Sequence, residues 1–395
     1  MRIAHFLLGR SNPESSNGVD KTVFFLSKAQ AELGHDVSVL SISDLPPIPV
    51  PGVTVGTFAP RRLPSLRPFD KEGRARPRNP FRLPDGMWDD MVGRHPHIVH
   101  FHSVHIPEAL WLADRLRRSE IPYCVSPHGG LLTTAQRHRR RLRKQLFSTL
   151  LERRYLRRAS LIHAVSQAEA EELRRQNLGP PVVVAHNCID ASAVPDDVDP
   201  GPVIERFPQL QGKRVLGYLG RLDTGPKGLD LLLRGWARIA DPSNEVLLLV
   251  GPDWRGGRMR LERLASGLGV NGGVVFAPAV SGREKWAYFA AMDVFVAPSR
   301  WEAAPFTVLE AMATRTAVVA TPASDPDGLI RASEAGWVVQ AEVEALARAL
   351  KTVTQTSGEQ LRLMGTKARR LIEREYRWND AAEILTEAYE DATRG

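Results

Sequence analysis

Short apolar runs and helical patterns alternate along almost the whole chain, and they do so in two series. The first series opens with Ile3–Leu8, a continuous apolar run of the kind a buried parallel strand needs. Residues 17–34 follow, with Val19, Val23, Leu26 and Leu33 on one helical face and Gly34 where a helix C-terminus favours left-handed backbone. Val37–Ile42, Ile98–His102, Tyr123–Ser126, Leu161–Val165 and Val182–Ala185 read as further strands, with helical patterns between most of them. Around 188–212 the periodicity breaks, and Pro195, Pro200, Pro202 and Pro208 mark a linker. The second series then runs through Arg214–Leu219, Val246–Val250, Val274–Ala277, Val294–Ala297 and Ala317–Ala320, with helices closing the chain after Ala341. The expected fold class is α/β, with two tandem Rossmann-like doubly wound domains.

One segment departs from this rhythm. Residues 46–84 hold ten prolines, and 61–82 hold eight arginines and lysines against two acids. Proline at that density disfavours helix interiors and central strands, so the segment reads as a long irregular loop.

Composition removes several classes of function. With 395 residues, two or three domains are expected at roughly 150 residues each. Cys124 and Cys188 are the only cysteines, which excludes a disulfide framework and any cysteine-based zinc spacing. No apolar run approaches the roughly 18 residues of a membrane-spanning helix, and Ile3–Leu8 is too short for a secretory leader, so a cytoplasmic location is expected. The net charge of +8 is unevenly placed: residues 1–200 carry 28 bases and 21 acids, and the remainder 25 and 24. A basic first half attracts phosphates, anionic lipid headgroups or nucleic acid. The positive charge peaks at 137–158, where ten bases face one acid, Glu152, and Leu142, Leu146, Phe147, Leu150 and Leu151 form an apolar stripe. Such a helix packs its stripe on a sheet or lies on an anionic membrane surface, which would make the protein peripheral on the inner face. Nucleic acid is not expected, since no aromatic platform or known module accompanies the charge.

Two motifs carry chemistry. Trp301-Glu302-Ala303-Ala304-Pro305-Phe306-Thr307-Val308-Leu309-Glu310 follows the strand Asp293–Ser299, at the carboxyl end of a sheet where doubly wound folds bind ligands. Pro305 suits the first turn of a helix, and the N–H groups of Phe306 and Thr307 would then face an anion. Glu302 before that helix and Glu310 in its second turn are placed to grip hydroxyls on either side of a diphosphate. The second motif, Gly220-Arg221-Leu222-Asp223-Thr224-Gly225-Pro226-Lys227-Gly228, also joins a strand to a helix. Arg221 and Lys227 at a helix N-terminus suit a bound diphosphate. The motif is not a P-loop: Lys227 comes one residue late and Gly228 stands where a magnesium-holding Ser or Thr belongs. In the first half, Gly18 opens a helix where backbone can approach a ligand closely. His128, in Ser126-Pro127-His128-Gly129-Gly130 after a strand, could donate to a sugar hydroxyl or a backbone carbonyl.

Other patterns carry less. Gly267-Leu268-Gly269-Val270-Asn271-Gly272 matches a dinucleotide fingerprint, but a helix precedes it and a strand follows, the reverse of the required order. His100, His102 and His105 suggest a metal cluster without an acidic partner. Asp197-Val198-Asp199 falls in the linker, and Asp325-Pro326-Asp327 lies beyond a strand end. No metal site is expected.

Taken together, the two Rossmann-like series, the E-x7-E from Glu302 to Glu310 and the G-R-L-D…K-G at 220–228 resemble a retaining glycosyltransferase of family 4. The glycine-bearing first loop, S-P-H-G at 126–129, H-N-x-I-D at 186–190 and A-x-D-V-F-V-A-P-S at 291–299 extend the resemblance over nearly the whole chain. It implies the GT-B arrangement, two such domains facing a cleft: 1–192, joined by a C-terminal helix at 378–395, and 193–377. It implies a sugar moved from a nucleoside-diphosphate sugar to a saccharide or lipid-linked saccharide acceptor in glycan biosynthesis, with no cofactor and no metal. Arg221 and Lys227 would bind the donor diphosphate. Glu302 would contact the transferred sugar, Glu310 the ribose, and Phe306 and Thr307 the phosphate or sugar through backbone N–H. Gly18 would face the diphosphate or the acceptor, and His128 would sit beside the transferred sugar. Glu302, Arg221, Lys227 and His128 are the expected catalytic residues. The chain departs from the family pattern at Ala303, Ala304 and Pro305, at Pro278, at Ala323-Ser324-Asp325-Pro326 and at Cys188, which blurs base and sugar specificity. The alternatives are an epimerase or phosphorylase of the same fold, or a non-catalytic basic surface-binding protein.

Overall fold

The computed structural model describes all residues except Ser16, 63–78, 80, 81, 133–150 and Gly395. The chain divides into two compact units: Met1–His186 together with Trp378–Gly395, and Asn187–Arg377. The first unit ends a few residues before the expected 192/193 boundary. Beyond it, the Ile189 N–H bonds to the Tyr376 carbonyl inside the second unit.

Among the described residues, the first unit holds a seven-stranded sheet. Its strands are β1 (Arg2–Leu8), β2 (Asp36–Ile42), β3 (Val53–Phe58), β4 (Ile98–His102), β5 (Tyr123–Ser126), β6 (Leu161–Ala164) and β7 (Val182–Val184), in the order β3-β2-β1-β4-β5-β6-β7. Every pairing between these strands is parallel. The second unit holds β8 (Arg214–Leu219), β9 (Glu245–Val250), β10 (Val274–Ala277), β11 (Val294–Ala297), β12 (Ala317–Ala320) and β13 (Gly336–Val338), in the order β10-β9-β8-β11-β12-β13. Both orders reverse where the first strand meets the fourth, and that switch point is where open α/β sheets leave a crevice at their carboxyl ends.

The stretch 46–84 is not wholly irregular. Val53–Phe58 pairs with β2 along its length. It lies at the sheet edge, where a proline-dense neighbourhood costs the hydrogen-bond ladder least.

In the second unit, strand alternation sorts the apolar residues onto two faces. Val246, Leu248 and Val250 join one core cluster while Leu247 and Leu249 join the other. The helix Leu229–Trp236 buries Leu229, Leu232, Leu233 and Trp236, the i, i+3, i+4, i+7 stripe of an amphipathic helix. Fully burying a side chain of that size contributes about 2–3 kcal/mol.

The first unit differs. Ala4, Phe6, Val99 and Phe101 pack into an apolar cluster on one face of the sheet. The residues alternating with them include His5, His100 and His102, all buried. That second face is covered by the helix Gly18–Glu32, which opens on an Asn17 cap and ends before left-handed Gly34. The helix Trp378–Arg394 packs beside it, with Trp378 stacked on Phe25 at 5.6 Å.

Candidate functional site

Two side-chain clusters stand out, one in each unit. In the second unit the loops after β8 and β11 are neighbours because those strands are adjacent. The contact is close: a Cβ at Gly228, whose φ is +65°, would lie 2.1 Å from the Pro298 carbonyl oxygen. Only glycine fits there, and it brings Lys227 beside the 298–305 loop.

In that position the Lys227 ammonium pairs with the Glu302 carboxylate. Ser299 Oγ donates to the same Glu302 oxygen at 3.0 Å. Glu310, only 3% exposed, pairs through Oε1 with Lys285 Nζ at 2.8 Å. Arg221 lies over the Trp254 ring, 4.6 Å from its centroid, a cation–π contact that fixes the guanidinium. Arg300 ties the two loops together: it grips Asp230 through two bonds of 2.7 Å and donates to the Thr224 and Gly225 carbonyls at 2.8 and 2.9 Å. The paired Asp230 carboxylate raises the Arg300 pKa further, so Arg300 is a fixed charge.

The helix starts at Phe306, with Pro305 as its N-cap in extended backbone, not as its first helical residue. The N–H groups of its first two residues, Phe306 and Thr307, have no carbonyl within the helix to pair with, whereas the Val308 N–H bonds to the Pro305 carbonyl at 3.2 Å. Arg221, Lys227, Glu302, Phe306, Thr307 and Glu310 all belong to this unit's carboxyl-end loops or to the helix that begins there. Lys285, Arg300 and Trp254 were not foreseen. Lys285 and Trp254 come from a helix start and a loop with no motif around them, and Arg300, though it stands between two motif segments, takes partners 70 to 76 residues away in sequence.

In the first unit the expected residues lie at the corresponding end of the sheet. Gly18 is the first residue of its helix, and Asn17 caps that helix by accepting the Val19 N–H at 3.3 Å. His128 sits two residues beyond β5 with φ +50°. The strained loop is held by Glu169, which accepts the Gly129 N–H at 2.5 Å and the Val165 N–H at 2.9 Å. Burial pushes the Glu169 carboxyl pKa up, and its two backbone donors oppose that shift.

His128 Nε2 lies 3.1 Å from His102 Nδ1, and His102 Nε2 lies 2.9 Å from His5 Nδ1. His100 and His163 are joined through Ser126 Oγ, at 2.6 and 2.5 Å. Burial pushes His5 and His163 down to about 4 and His128 to about 3, and His100 and His102 also fall well below the usual range. Ring nitrogens of His5, His100 and His102 come within 4.8 Å of one another, a spacing that could hold a metal ion. The hydrogen bonds compete with that role, since His5 Nδ1 and His102 Nε2 are spent on each other. His105 stands apart from the expected trio: its Nδ1 lies 2.8 Å from the Glu152 carboxylate.

The remaining candidates have local roles. Asp325 caps the helix Leu329–Ala332 by accepting the Ile330 N–H at 3.1 Å, and Asp199 accepts the Gly201 N–H at 2.8 Å. Gly269, with φ +73°, turns the helix Gly257–Gly267 toward β10, as its place in the sequence requires. Of the basic segment 137–158, residues 137–150 lie outside the described residues. In the rest, Tyr155 and Leu156 are buried while Leu151, Arg153, Arg154, Arg157 and Arg158 are exposed.

Residues 17–188 match the family model "Glycosyl transferase 4-like domain", and residues 213–356 match "Glycosyl transferases group 1". A lipopolysaccharide core biosynthesis mannosyltransferase from Rhizobium leguminosarum bv. viciae is 28% identical over 261 residues, 61% of this chain and 70% of that protein. A D-inositol 3-phosphate glycosyltransferase from Streptomyces bingchenggensis is 28% identical over 259 residues, but the chain spans only 54% of its length. Among solved structures, the sucrose-phosphate synthase of Thermosynechococcus elongatus superposes with a TM-score of 0.78 at 19% identity, covering 99% of this chain and 98% of that one. HepE from Anabaena, in complex with UDP and glucose, gives 0.74 at 17% identity, covering 99% and 100%.

Proposed function

Because the chain belongs to the group 1 glycosyltransferases and has their two Rossmann-like domains, the GT-B fold, we propose that it moves a sugar from a nucleoside-diphosphate sugar to a saccharide or lipid-linked saccharide. The observation that carries this reading is the pair of lysine–glutamate contacts flanking one helix N-terminus, Lys227 with Glu302 and Lys285 with Glu310. A diphosphate arriving at that N-terminus attracts Lys227 and Arg221. Glu302 is then released to accept hydrogen bonds from the sugar's hydroxyls, and Glu310, held by Lys285, meets the ribose. Phe306 and Thr307 contribute backbone N–H groups. The UDP and glucose bound by HepE and the mannosyl transfer named for the rhizobial relative support a donor of this class.

Positive charge from Arg221 and Lys227 stabilises the leaving diphosphate as the glycosidic bond breaks, a preorganised electrostatic effect that needs no metal. The reading includes family 4 membership and retention of the anomeric configuration, with the acceptor hydroxyl attacking from the face the diphosphate leaves and a phosphate oxygen taking its proton. Gly18 in the first unit is assigned to the diphosphate or acceptor, and His128 to the transferred sugar. Product analysis tests this. The transferred sugar is expected to keep its anomeric configuration by proton NMR, with turnover surviving chelation of divalent cations. An inverted product, or activity abolished by chelation and restored by one cation, would refute it.

A further inference from the structure

The buried hydrogen bonds that link His163 to His128 run in one direction only, and that direction can be read from the group that cannot switch. The Ala185 carbonyl only accepts, so His163 Nε2, 2.8 Å away, must donate. A neutral His163 then has a bare Nδ1, which takes the Ser126 hydroxyl hydrogen. Ser126 Oγ, its hydrogen spent, accepts from His100 Nε2. His100 Nδ1 is bare and takes the Tyr389 O–H at 2.6 Å. The Tyr389 oxygen is left as an acceptor, and the group beside it is the Gln30 amide. Gln30 Nε2 is buried and bonds to nothing at full geometry among the described residues, so the phenol oxygen is the acceptor it faces. That orients the amide with Oε1 toward His5 Nε2, 2.7 Å away. His5 Nε2 therefore donates, His5 Nδ1 accepts from His102 Nε2, and His102 Nδ1 accepts from His128 Nε2. Burial keeps all five rings neutral, which the sequence of donors and acceptors requires.

We propose that His163, Ser126, His100, Tyr389, Gln30, His5 and His102 are positioning residues that hold His128 in a single tautomer, Nε2–H with Nδ1 bare, so that His128 accepts a hydrogen bond at its free edge. The proposal rests on the assignment of His128 to the transferred sugar and sharpens it. A bare Nδ1 welcomes a hydroxyl and repels a carboxylate, so the sugar presents an uncharged hydroxyl there. This reverses the donor role read for His128 from the sequence, because its one N–H is spent on His102.

The test is a long-range proton–nitrogen correlation spectrum of the full chain, labelled with nitrogen-15 histidine and deuterated elsewhere. It is recorded without ligand, so its outcome is separate from whether any nucleotide binds. His128 is assigned by its loss in His128→Asn. The expected result is five neutral rings, His5, His100, His102, His128 and His163, each protonated on Nε2 and bare on Nδ1. In Tyr389→Phe the link between the Ala185 end and Gln30 is cut, and His128 is expected to populate both tautomers, with a several-fold rise in donor KM and little change in kcat. A wild-type His128 that carries its hydrogen on Nδ1 or is charged at pH 7 would overturn the proposal. So would a folded Tyr389→Phe variant whose His128 remains in one tautomer, or His5, His100 and His102 resonances that shift together with one equivalent of zinc.

Discussion

Lys227→Ala is expected to lower kcat by about a hundredfold to a thousandfold, the effect of removing one preorganised charge from a developing anion. The lysine is placed for this by Gly228, where a side chain would strike the Pro298 carbonyl, and by Arg300, which fixes the Thr224 and Gly225 carbonyls just before it. Stability should change much less. The variant leaves the partly buried Glu302 without its cation, at a cost of about 1–3 kcal/mol, and Ser299 still donates to the carboxylate. A melting point lowered by a few degrees with turnover nearly lost is therefore the expected outcome, measured by steady-state kinetics and calorimetry on the same preparation. Lys227→Arg should recover part of the rate, since charge is retained while the point-charge geometry is not. Wild-type kcat in Lys227→Ala would remove the lysine from the reaction.

Acid should unfold the first unit and spare the second. The folded-state values of His5 and His163 are about 4 and that of His128 about 3, and His100 and His102 are also depressed, all against an ordinary value of 6.5. Above 6.5 these histidines are neutral in both folded and unfolded chains, and pH has no leverage through them. Below 6.5 the unfolded chain takes up protons that the fold refuses, so stability falls as pH drops toward 4. Each such histidine contributes about 1.4 kcal/mol per pH unit in that window. Five together would exhaust a typical domain stability of about 5–15 kcal/mol before pH 4. The second unit supplies an internal control, because no histidine occurs between 187 and 377. Hydrogen exchange at pH 7 and pH 5, corrected for its intrinsic pH dependence, should show opening in Met1–His186 with Asn187–Arg377 still protected. Loss of protection in the second unit first would contradict this account of the histidines.

Most strands were legible because they are short runs rich in apolar, β-branched and aromatic residues. Ile98–His102, Tyr123–Ser126, Arg214–Leu219, Val274–Ala277, Val294–Ala297 and Ala317–Ala320 stand where the periodicity puts them. The strands that escaped notice, Val53–Phe58 and Gly336–Val338, are both edge strands. Edge position alone does not hide a strand, since Val182–Val184 and Val274–Ala277 are also edge strands and were legible; Gly56 with the prolines around β3, and the three-residue length of β13, are what weaken the signal. The short helix Met87–Gly93 was missed beside the same proline-dense stretch.

The site followed the same rule. Arg221, Lys227, Glu302 and Glu310 were legible because each follows a recognisable strand at its carboxyl end. Their partners were not. Lys285 reaches Glu310 from a helix 25 residues away, and Trp254 lies under Arg221 from the loop after β9. Such pairings are created by the sheet order, not by local sequence. The histidine relay was half visible: His100 and His102 share a strand face by simple alternation. His5 joins them through the β1–β4 register, in which His5 lies opposite His100.

The proposed transfer requires that the second unit bind the nucleotide of a sugar donor through Lys227, Glu302 and Glu310. The most direct measurement is a melting-temperature screen of the full chain against UDP, GDP, ADP and dTDP, repeated on Glu310→Ala. Anything that binds the folded state alone raises the melting point, by about 2.7 kcal/mol of stability at a hundred times its Kd. A clear shift with one of these nucleotides, and its loss in Glu310→Ala, is the expected result. No shift with any of them, or a shift of equal size in Glu310→Ala, would contradict it.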